Sequence, residues 1–272
     1  MSVSTMLLHK HKITARTLKD LSLKQFFVFD MDETLTPEGR VIPAKMARVL
    51  AEIAKHKDIA IISGKDIEQI LQNVLYSIKK HNTQFRKIYI ASAGGGAIWQ
   101  IKQDKTILLK EHRLSQQKIN EVVSEFVQVL RELNMYPKKI YGDLALVKKG
   151  AVSLTLLGYK APMQEKDKAD PDFAKRKAII KLLQKRFKDV DFNISGKTTI
   201  ELTQKGVNKA KALGYIVSVS GLQKSDVVYF GDSFSPEGND FSVLKAGYTC
   251  IKVNNWQETF EILQQLLGYL TP

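Results

Sequence analysis

The sequence predicts an α/β protein: a Rossmann-like parallel sheet carrying an inserted α+β unit. Three observations predict it. Apolar strands alternate with amphipathic helices over residues 25–91. The rhythm then breaks into hairpin-like strands and long helices over roughly 97–195. After Gly206 the strand–helix rhythm returns. Strand, helix, strand in succession makes parallel neighbours joined by right-handed crossovers. The first unit is therefore read as discontinuous, 25–96 and 196–272, with 97–195 inserted into it.

Residues 1–24 are polar and basic without a clear period, and read as an extension, partly helical at best. Gln25–Asp30 reads as a buried strand. Pro43 opens a helix whose Met46, Val49, Leu50 and Ile53 fall at i, i+3, i+4 and i+7. Asp58–Ser63 is a second apolar strand, Asp66–Lys80 a second amphipathic helix, and Arg86–Ala91 a third strand. A hairpin turning near Gln103–Asp104 opens the insert, and Leu114–Asn134 is a long helix. Next come two antiparallel-type strands, an exposed loop over 161–172, a basic helix and the strands VDFNIS and TTIELT. The chain closes with a helix from Val207, a strand Asp226–Phe230, a helix Asp240–Ala246, a strand Tyr248–Val253 and a helix Trp256–Leu270.

Composition narrows the function. With 272 residues and 44% hydrophobic content the chain can bury a core. It has no apolar run long enough to span a membrane, and its N-terminus does not read as a signal peptide. Cys250 is the sole cysteine, so no intrachain disulfide can form and a cytoplasmic setting is the default. The net charge is +14, of which +9 lies between Pro137 and Lys188. Part of it sits on the basic helix, where Ile179, Leu182, Leu183 and Phe187 share one face and Lys175, Arg176, Lys177, Lys181, Lys185 and Lys188 mostly take the rest. A solvated helix face is the first reading of that pattern. No aromatics interleave the bases as stacking platforms, so nucleic acid is not the expected partner.

Ligands of open parallel sheets bind beyond the carboxyl ends of the strands, and four features of this chain lie there. They are Asp30 and Asp32 after the first strand, Ser63 after the second, the Gly206–Lys209 turn, and Gly231-Asp232 after DVVYF. Each alone is an ordinary turn or cap. Together they set acids, a hydroxyl and an amine on one rim. Crowded carboxylates need a cation, and magnesium suits few carboxylates beside phosphate. A carboxylate can attack phosphorus to give an aspartyl phosphate, whose formation calls for placed positive charge. Gly94-Gly95-Gly96 lacks G-x-G-x-x-G spacing and reads as a domain hinge, which argues against a dinucleotide site.

These residues carry a resemblance. DMDETLT resembles motif one (DxDxT) of the haloacid dehalogenase-like (HAD) superfamily, IISGK motif two, KGVNKAKAL motif three and GDSFSPEGND motif four. The insert stands where the large α/β cap of the Cof-like and phosphomannomutase-like branch lies. The resemblance implies a HAD core with an inserted α+β cap, magnesium as cofactor and a phosphorylated small molecule as substrate. It makes Asp30 the nucleophile and a metal ligand. Asp32 becomes the general acid/base, its backbone carbonyl also facing the metal. Ser63, with Gly64, holds the phosphoryl group, and Lys209 steadies nucleophile and phosphoryl group, with Lys205 a weaker candidate that also reads as a surface lysine. Asp232 completes the metal site, with Asn239 and Asp240 in or behind it. The bland alternative for Asn239-Asp240 is a helix cap. In the cap, Lys148, Lys149, Tyr159 and Lys160 are the substrate-binding candidates, expected to face the catalytic carboxylates. A homodimer through the cap is a further implication. Glu33 departs from the resemblance, which puts glycine there; it is expected to turn away from the metal, towards a basic neighbour.

The first reading is a magnesium-dependent phosphatase acting on a sugar phosphate or similar small phosphomonoester. The second is a phosphohexomutase resembling the phosphomannomutases. GDSFSPEGND and KKGAVSLTLLGYKA are similar to those mutases, but their distal-phosphate arginine is replaced here by Tyr159 next to Lys160, and Ser63-Gly64-Lys65 has the phosphatase form. A catalytically silent binding module is disfavoured by the intact Asp30, Asp32, Lys209 and Asp232. A basic nucleic-acid binder would show itself in a salt-dependent mobility shift.

Overall fold

Four consecutive apolar residues can all leave water only in a strand covered on both faces. Phe26–Phe29 is such a strand, with every residue at 0% exposure. Phe26 and Val28 enter one core cluster, Phe27 and Phe29 the other. Each buried Phe contributes about 1.5–3 kcal/mol relative to exposure. The computed structural model describes residues 7–81, 84–103, 105–236 and 238–270.

In chain order the first unit holds β1 (Leu7–His9), α1 (Ala15–Ser22), β2 (Phe26–Phe29), α2 (Ala44–His56), β3 (Asp58–Ile62), α3 (Ile67–Ile70) and α4 (Tyr76–Lys79). It continues with β4 (Ile88–Ser92), β5 (Ala97–Lys102) and β6 (Lys105–Glu111). The second unit, Glu111–Val207, holds α5 (Gln116–Glu132), β7 (Ala145–Lys148), β8 (Ala151–Thr155), α6 (Met163–Ala169), α7 (Ala174–Arg186), β9 (Val190–Ser195) and β10 (Thr199–Gln204). From Asn208 the first unit resumes with α8 (Lys209–Ser220), β11 (Val227–Gly231), α9 (Phe241–Lys245), β12 (Thr249–Lys252) and α10 (Trp256–Leu267).

The first unit is built on an eight-stranded sheet in the order β1-β12-β11-β2-β3-β4-β5-β6. The pairs from β1 to β4 are parallel, and β5 turns antiparallel to β4. Helices α1, α2, α3, α4 and α10 supply the cluster on one face, α8 and α9 that on the other. Between α3 and α4 the helix runs through a π segment, Leu71–Leu75, and Asn73 O there accepts Ile42 N–H.

Several expectations differ from the structure. The 97–111 hairpin extends the large sheet: β5 covers the edge of β4 and sends Trp99 and Ile101 into its core, removing an open apolar edge. TTIELT pairs as β10 between β8 and β9, inside the second unit. The compact units thus divide after Lys110 and Val207, later than the expected 97 and 195. The extension expected to be partly helical does hold a helix, α1, which buries Leu18 and Leu21, and from Leu7 it also supplies β1, parallel to β12. Gly94–Gly96 is not a hinge between units. It links β4 to β5, and Gly95, at φ 105°, lets the turn press on α8, where a Cβ would stand 2.8 Å from Asn208 O. Of the expected turn at Gln103–Asp104, Gln103 has a positive φ of 54°, and Asp104 lies outside the described residues, as does Glu237 of GDSFSPEGND.

The second unit is a four-stranded antiparallel sheet, β7-β8-β10-β9. Val152, Leu154, Ile200, Leu202, Val190 and Phe192 pack against Ile119, Val122, Phe126, Ile179 and Leu183 of α5 and α7. The expected loop over 161–172 contains α6 and ends in Asp170, which anchors α7. Arg176, grouped by sequence with the solvent-facing bases, is fully buried. Its Nε donates to Asp170 Oδ2 at 2.7 Å, and its guanidinium also donates to the carbonyls of Ser195, Gly196 and Thr199. Lys175, Lys177, Lys181, Lys185 and Lys188 do lie on the exposed side. No helix of the described residues is long and apolar enough to cross a membrane.

Candidate active site

Strand order assembles the site. β2 lies between β11 and β3, with Phe29 opposite Phe230 and Ile61, so the residue after Phe29 is flanked by Gly231 and Ile62, and Ser63 stands one residue further along. Asp30 N–H continues the ladder to Phe230 O at 2.9 Å. The chain then turns sharply: Leu35 and Thr36 N–H both return to Met31 O, and Met31 is fully buried in the core there. α8 delivers Lys209 as its first residue, after Asn208 caps the helix by accepting Lys211 N–H.

Lys209 is 2% exposed. Its Nζ donates to Asp30 Oδ1 at 2.7 Å and to Asp240 Oδ1 at 2.8 Å. Asp240 also accepts the buried Tyr229 hydroxyl and, at 3.0 Å, Ser233 N–H. A Cβ on Gly231 would stand 2.4 Å from Asp240 Oδ2, so the glycine of Gly231-Asp232 makes room for that carboxylate. Oxygens of Asp30, Asp232 and Asp240 lie within 4.8 Å of one another. Burial, opposed by Lys209 and reinforced by Asp240 and Asp232, holds the Asp30 proton well above the usual carboxylate range. Burial, reinforced by Asp240, pushes Asp232 up to about 6. Burial works against the charge of Lys209, but Asp240 and Asp30 outweigh it and hold its proton more tightly than in water.

Three carboxylates against one ammonium in a buried cluster fit a divalent cation with hard oxygen ligands. The two oxygens of Asp240 are committed to Lys209, Tyr229 and Ser233, so Asp30 and Asp232 are the better placed ligands. A consequence is open to measurement. Because the folded site holds a proton on Asp232 more tightly than the unfolded chain does, folding takes up protons between pH about 4 and about 6. Metal-free stability should then fall as pH rises through that window. A cation held by Asp232 must displace that proton. If magnesium is that cation, the rise in Tm on adding it should be larger at pH 7.5 than at pH 5, with apparent affinity gaining up to about tenfold per pH unit below the Asp232 value. Thermal melts with and without magnesium across pH 4.5–8 check this.

The other expected residues divide. Asp32 lies outside the acidic cluster: its Oδ1 accepts Gly39 N–H at 2.8 Å and its Oδ2 is 3.3 Å from Lys65 Nζ. Ser63 is buried, with its Oγ accepting Lys65 N–H at 3.2 Å and its carbonyl accepting Gly94 N–H. Gly64 lies between Ser63 and Lys65 on the same turn. Lys205 is a surface lysine, exposed and donating to Lys188 O. Asn239 is exposed, with Ser242 Oγ donating to its carbonyl. Glu33 has a φ of 58°, the left-handed backbone that glycine adopts freely. Its carboxylate accepts Glu38 N–H at 2.9 Å, so it caps its own loop. In the second unit, Lys148 reaches buried Glu201 at 3.4 Å, which also accepts Ser153 Oγ. Tyr159 O accepts Lys166 Nζ, and Lys160 Nζ lies over the Tyr159 ring. Lys149 is exposed beside the β7–β8 turn.

Two contributors escape a reading of the sequence, Lys65 and Tyr229. Lys65 is visible there only as part of IISGK, and Tyr229 only as one apolar position in DVVYF.

The chain matches the haloacid dehalogenase-like hydrolase family over residues 27–261. It belongs to that family. Among curated relatives, the phosphomannomutase of Encephalitozoon cuniculi is 24% identical over 90% of this chain and 94% of its own. That of Saccharomyces cerevisiae is 23% identical, covering 89% and 93%. The solved Plasmodium falciparum IMP-nucleotidase, N-terminally truncated, superposes with a TM-score of 0.66 at 19% identity, over 92% of this chain and 73% of that one. A haloacid dehalogenase-like hydrolase from Bacteroides thetaiotaomicron gives 0.62 at 17% identity, over 89% and 99%. These likenesses support the HAD-type fold, a core sheet plus a separate antiparallel one. Phosphoryl chemistry on a small substrate is the business of the superfamily, and the acidic cluster of Asp30, Asp232 and Asp240 could hold a metal ion.

Proposed function

We propose that this chain is a magnesium-dependent phosphatase hydrolysing a sugar phosphate or similar small phosphomonoester through an aspartyl phosphate on Asp30. The observation that carries the reading is the buried Asp30 carboxylate, 2.7 Å from Lys209 within an acidic cluster at the end of the central strand. In this reading an Asp30 oxygen attacks phosphorus and the ester P–O bond breaks. Asp32 gives its proton to the leaving oxygen. Water then attacks the aspartyl phosphate, its proton passes to Asp32, and phosphate departs with Asp30 restored. Lys209 neutralises charge on the nucleophile and transferring group, and Ser63 with Gly64 holds the phosphoryl oxygens. Bound by Asp30, Asp232 and the Asp32 carbonyl, magnesium would supply further neutralisation of those oxygens.

Lys148, Lys149, Tyr159 and Lys160 are carried forward as candidates for substrate contact. A cytoplasmic location and a homodimer through the second unit go with the reading as proposals. Hydrolysis is preferred to mutase chemistry because Tyr159 cannot replace a bidentate guanidinium at the place where the resemblance puts one, and Lys148 is engaged with Glu201. The second reading, a phosphohexomutase, draws on the relatives named phosphomannomutase.

One assay separates the two. The protein is incubated with magnesium and mannose 1-phosphate or glucose 1-phosphate, with IMP as a third ester, and both free phosphate and the 6-phosphate isomer are measured. Free phosphate without isomer is expected. Isomer formation that depends on a hexose bisphosphate primer would replace the first reading by the second.

A further inference from the structure

Asp32 is held at both carboxylate oxygens by donors from two different segments. Gly39 N–H binds Oδ1 from the loop after β2, and Lys65 Nζ reaches Oδ2 from the loop after β3, the neighbouring strand. The first donor is fixed by its loop, in which Glu38 N–H is tied to the Glu33 carboxylate and Arg40 N–H to Pro37 O. The second is a side chain 29% exposed, paired with a carboxylate 28% exposed. Ion pairs of that exposure add little to stability, so the fold alone gives no reason for it. What the pair does change is orientation. The terminal torsion of Asp is broad, and one donor would leave the carboxylate free to swing. Two donors at two oxygens fix its plane.

We infer that Lys65 is a positioning residue that aims Asp32 at the leaving-group oxygen; the inference rests on the phosphatase reading. When Asp30 displaces an alcohol, the P–O bond breaks and the Asp32 proton moves to the departing oxygen. That transfer needs hydrogen-bond reach and alignment. A p-nitrophenolate departs as a stable anion and needs no proton. Loss of aim therefore harms one ester and spares the other, which a merely structural role would not do.

The test is kcat/KM, which reports the chemistry up to phosphoenzyme formation, for a hexose 6-phosphate and for p-nitrophenyl phosphate. Lys65→Met is expected to lower the first about 100-fold and the second by no more than about threefold. Lys65→Arg should restore most of the first. In the Lys65→Met, Asp32→Asn double variant the hexose phosphate should react no more slowly than with Asp32→Asn alone, because Lys65 acts through Asp32. Equal loss on both esters, no loss on either, or additive loss in the double variant would overturn the inference. A wild type that hydrolyses neither ester would bring down the phosphatase reading and this inference with it, which separates the two failures.

Discussion

Asp30→Asn is expected to lower turnover about 10⁴-fold or more, the scale seen when a nucleophile that works as a unit with its partners is removed. An amide cannot attack phosphorus to give an acyl phosphate. The geometry otherwise survives, since an Asn oxygen can still accept from Lys209 where Asp30 Oδ1 does at 2.7 Å. The folded state is not expected to suffer. Burial and the neighbours Asp240 and Asp232 hold the Asp30 proton well above the usual range, so ionised Asp30 destabilises the metal-free protein at neutral pH. The variant should therefore melt no lower than wild type without magnesium. Acid quenching during turnover of a ³²P-labelled ester should trap label on wild type and none on the variant. Activity that survives the substitution would refute the covalent mechanism.

How much of the site is legible in the sequence has a physical basis. Phe26–Phe29 running into Asp30 is a local pattern: a strand covered on both faces must end at the rim, and its next residue stands there. Lys209 is equally local, the first residue of a capped helix. Both positions come from backbone geometry, which short-range patterning specifies. The pairing of Lys65 with Asp32, and of Tyr229 with Asp240, is set by where a side chain points across two strands or two loops. No periodicity encodes that. Arg176 shows the same limit from the other side: on a helix rich in Lys, its spacing does not distinguish a solvated base from one buried against Asp170. β1 escapes notice because Leu7–His9 is too short to display a period. The hairpin after β4 reads as part of the insert because alternation reports that a strand exists and not which edge it joins.

Lys209→Met is expected to cost both activity and fold. The ammonium is 2% exposed and the main counter-charge to Asp30 and Asp240. Removing one partner of a buried ion pair leaves the others uncompensated, a loss of about 3–5 kcal/mol. In a chain of this size about 1 kcal/mol moves Tm by about 2–4 °C, so the midpoint should fall by about 10 °C. The ammonium itself stays charged in the folded wild type between pH 6 and 9. The folded state holds the Lys209 proton more tightly than water does, so its contribution is complete below the ordinary lysine value and disappears only at higher pH. Turnover should fall about 10³-fold, as when a charge that stabilises the transition state is withdrawn. Two controls separate electrostatics from packing. Adding Asp240→Asn to Lys209→Met should recover part of the lost stability, because the amide oxygen can accept Ser233 N–H while its NH2 donates to the Tyr229 hydroxyl, without leaving a bare charge. Magnesium should raise Tm more in Lys209→Met than in wild type, since the cation then becomes the main partner of the carboxylates. If the double variant melts lower than the single one and magnesium gives equal shifts in both proteins, Lys209 is filling space and not balancing charge.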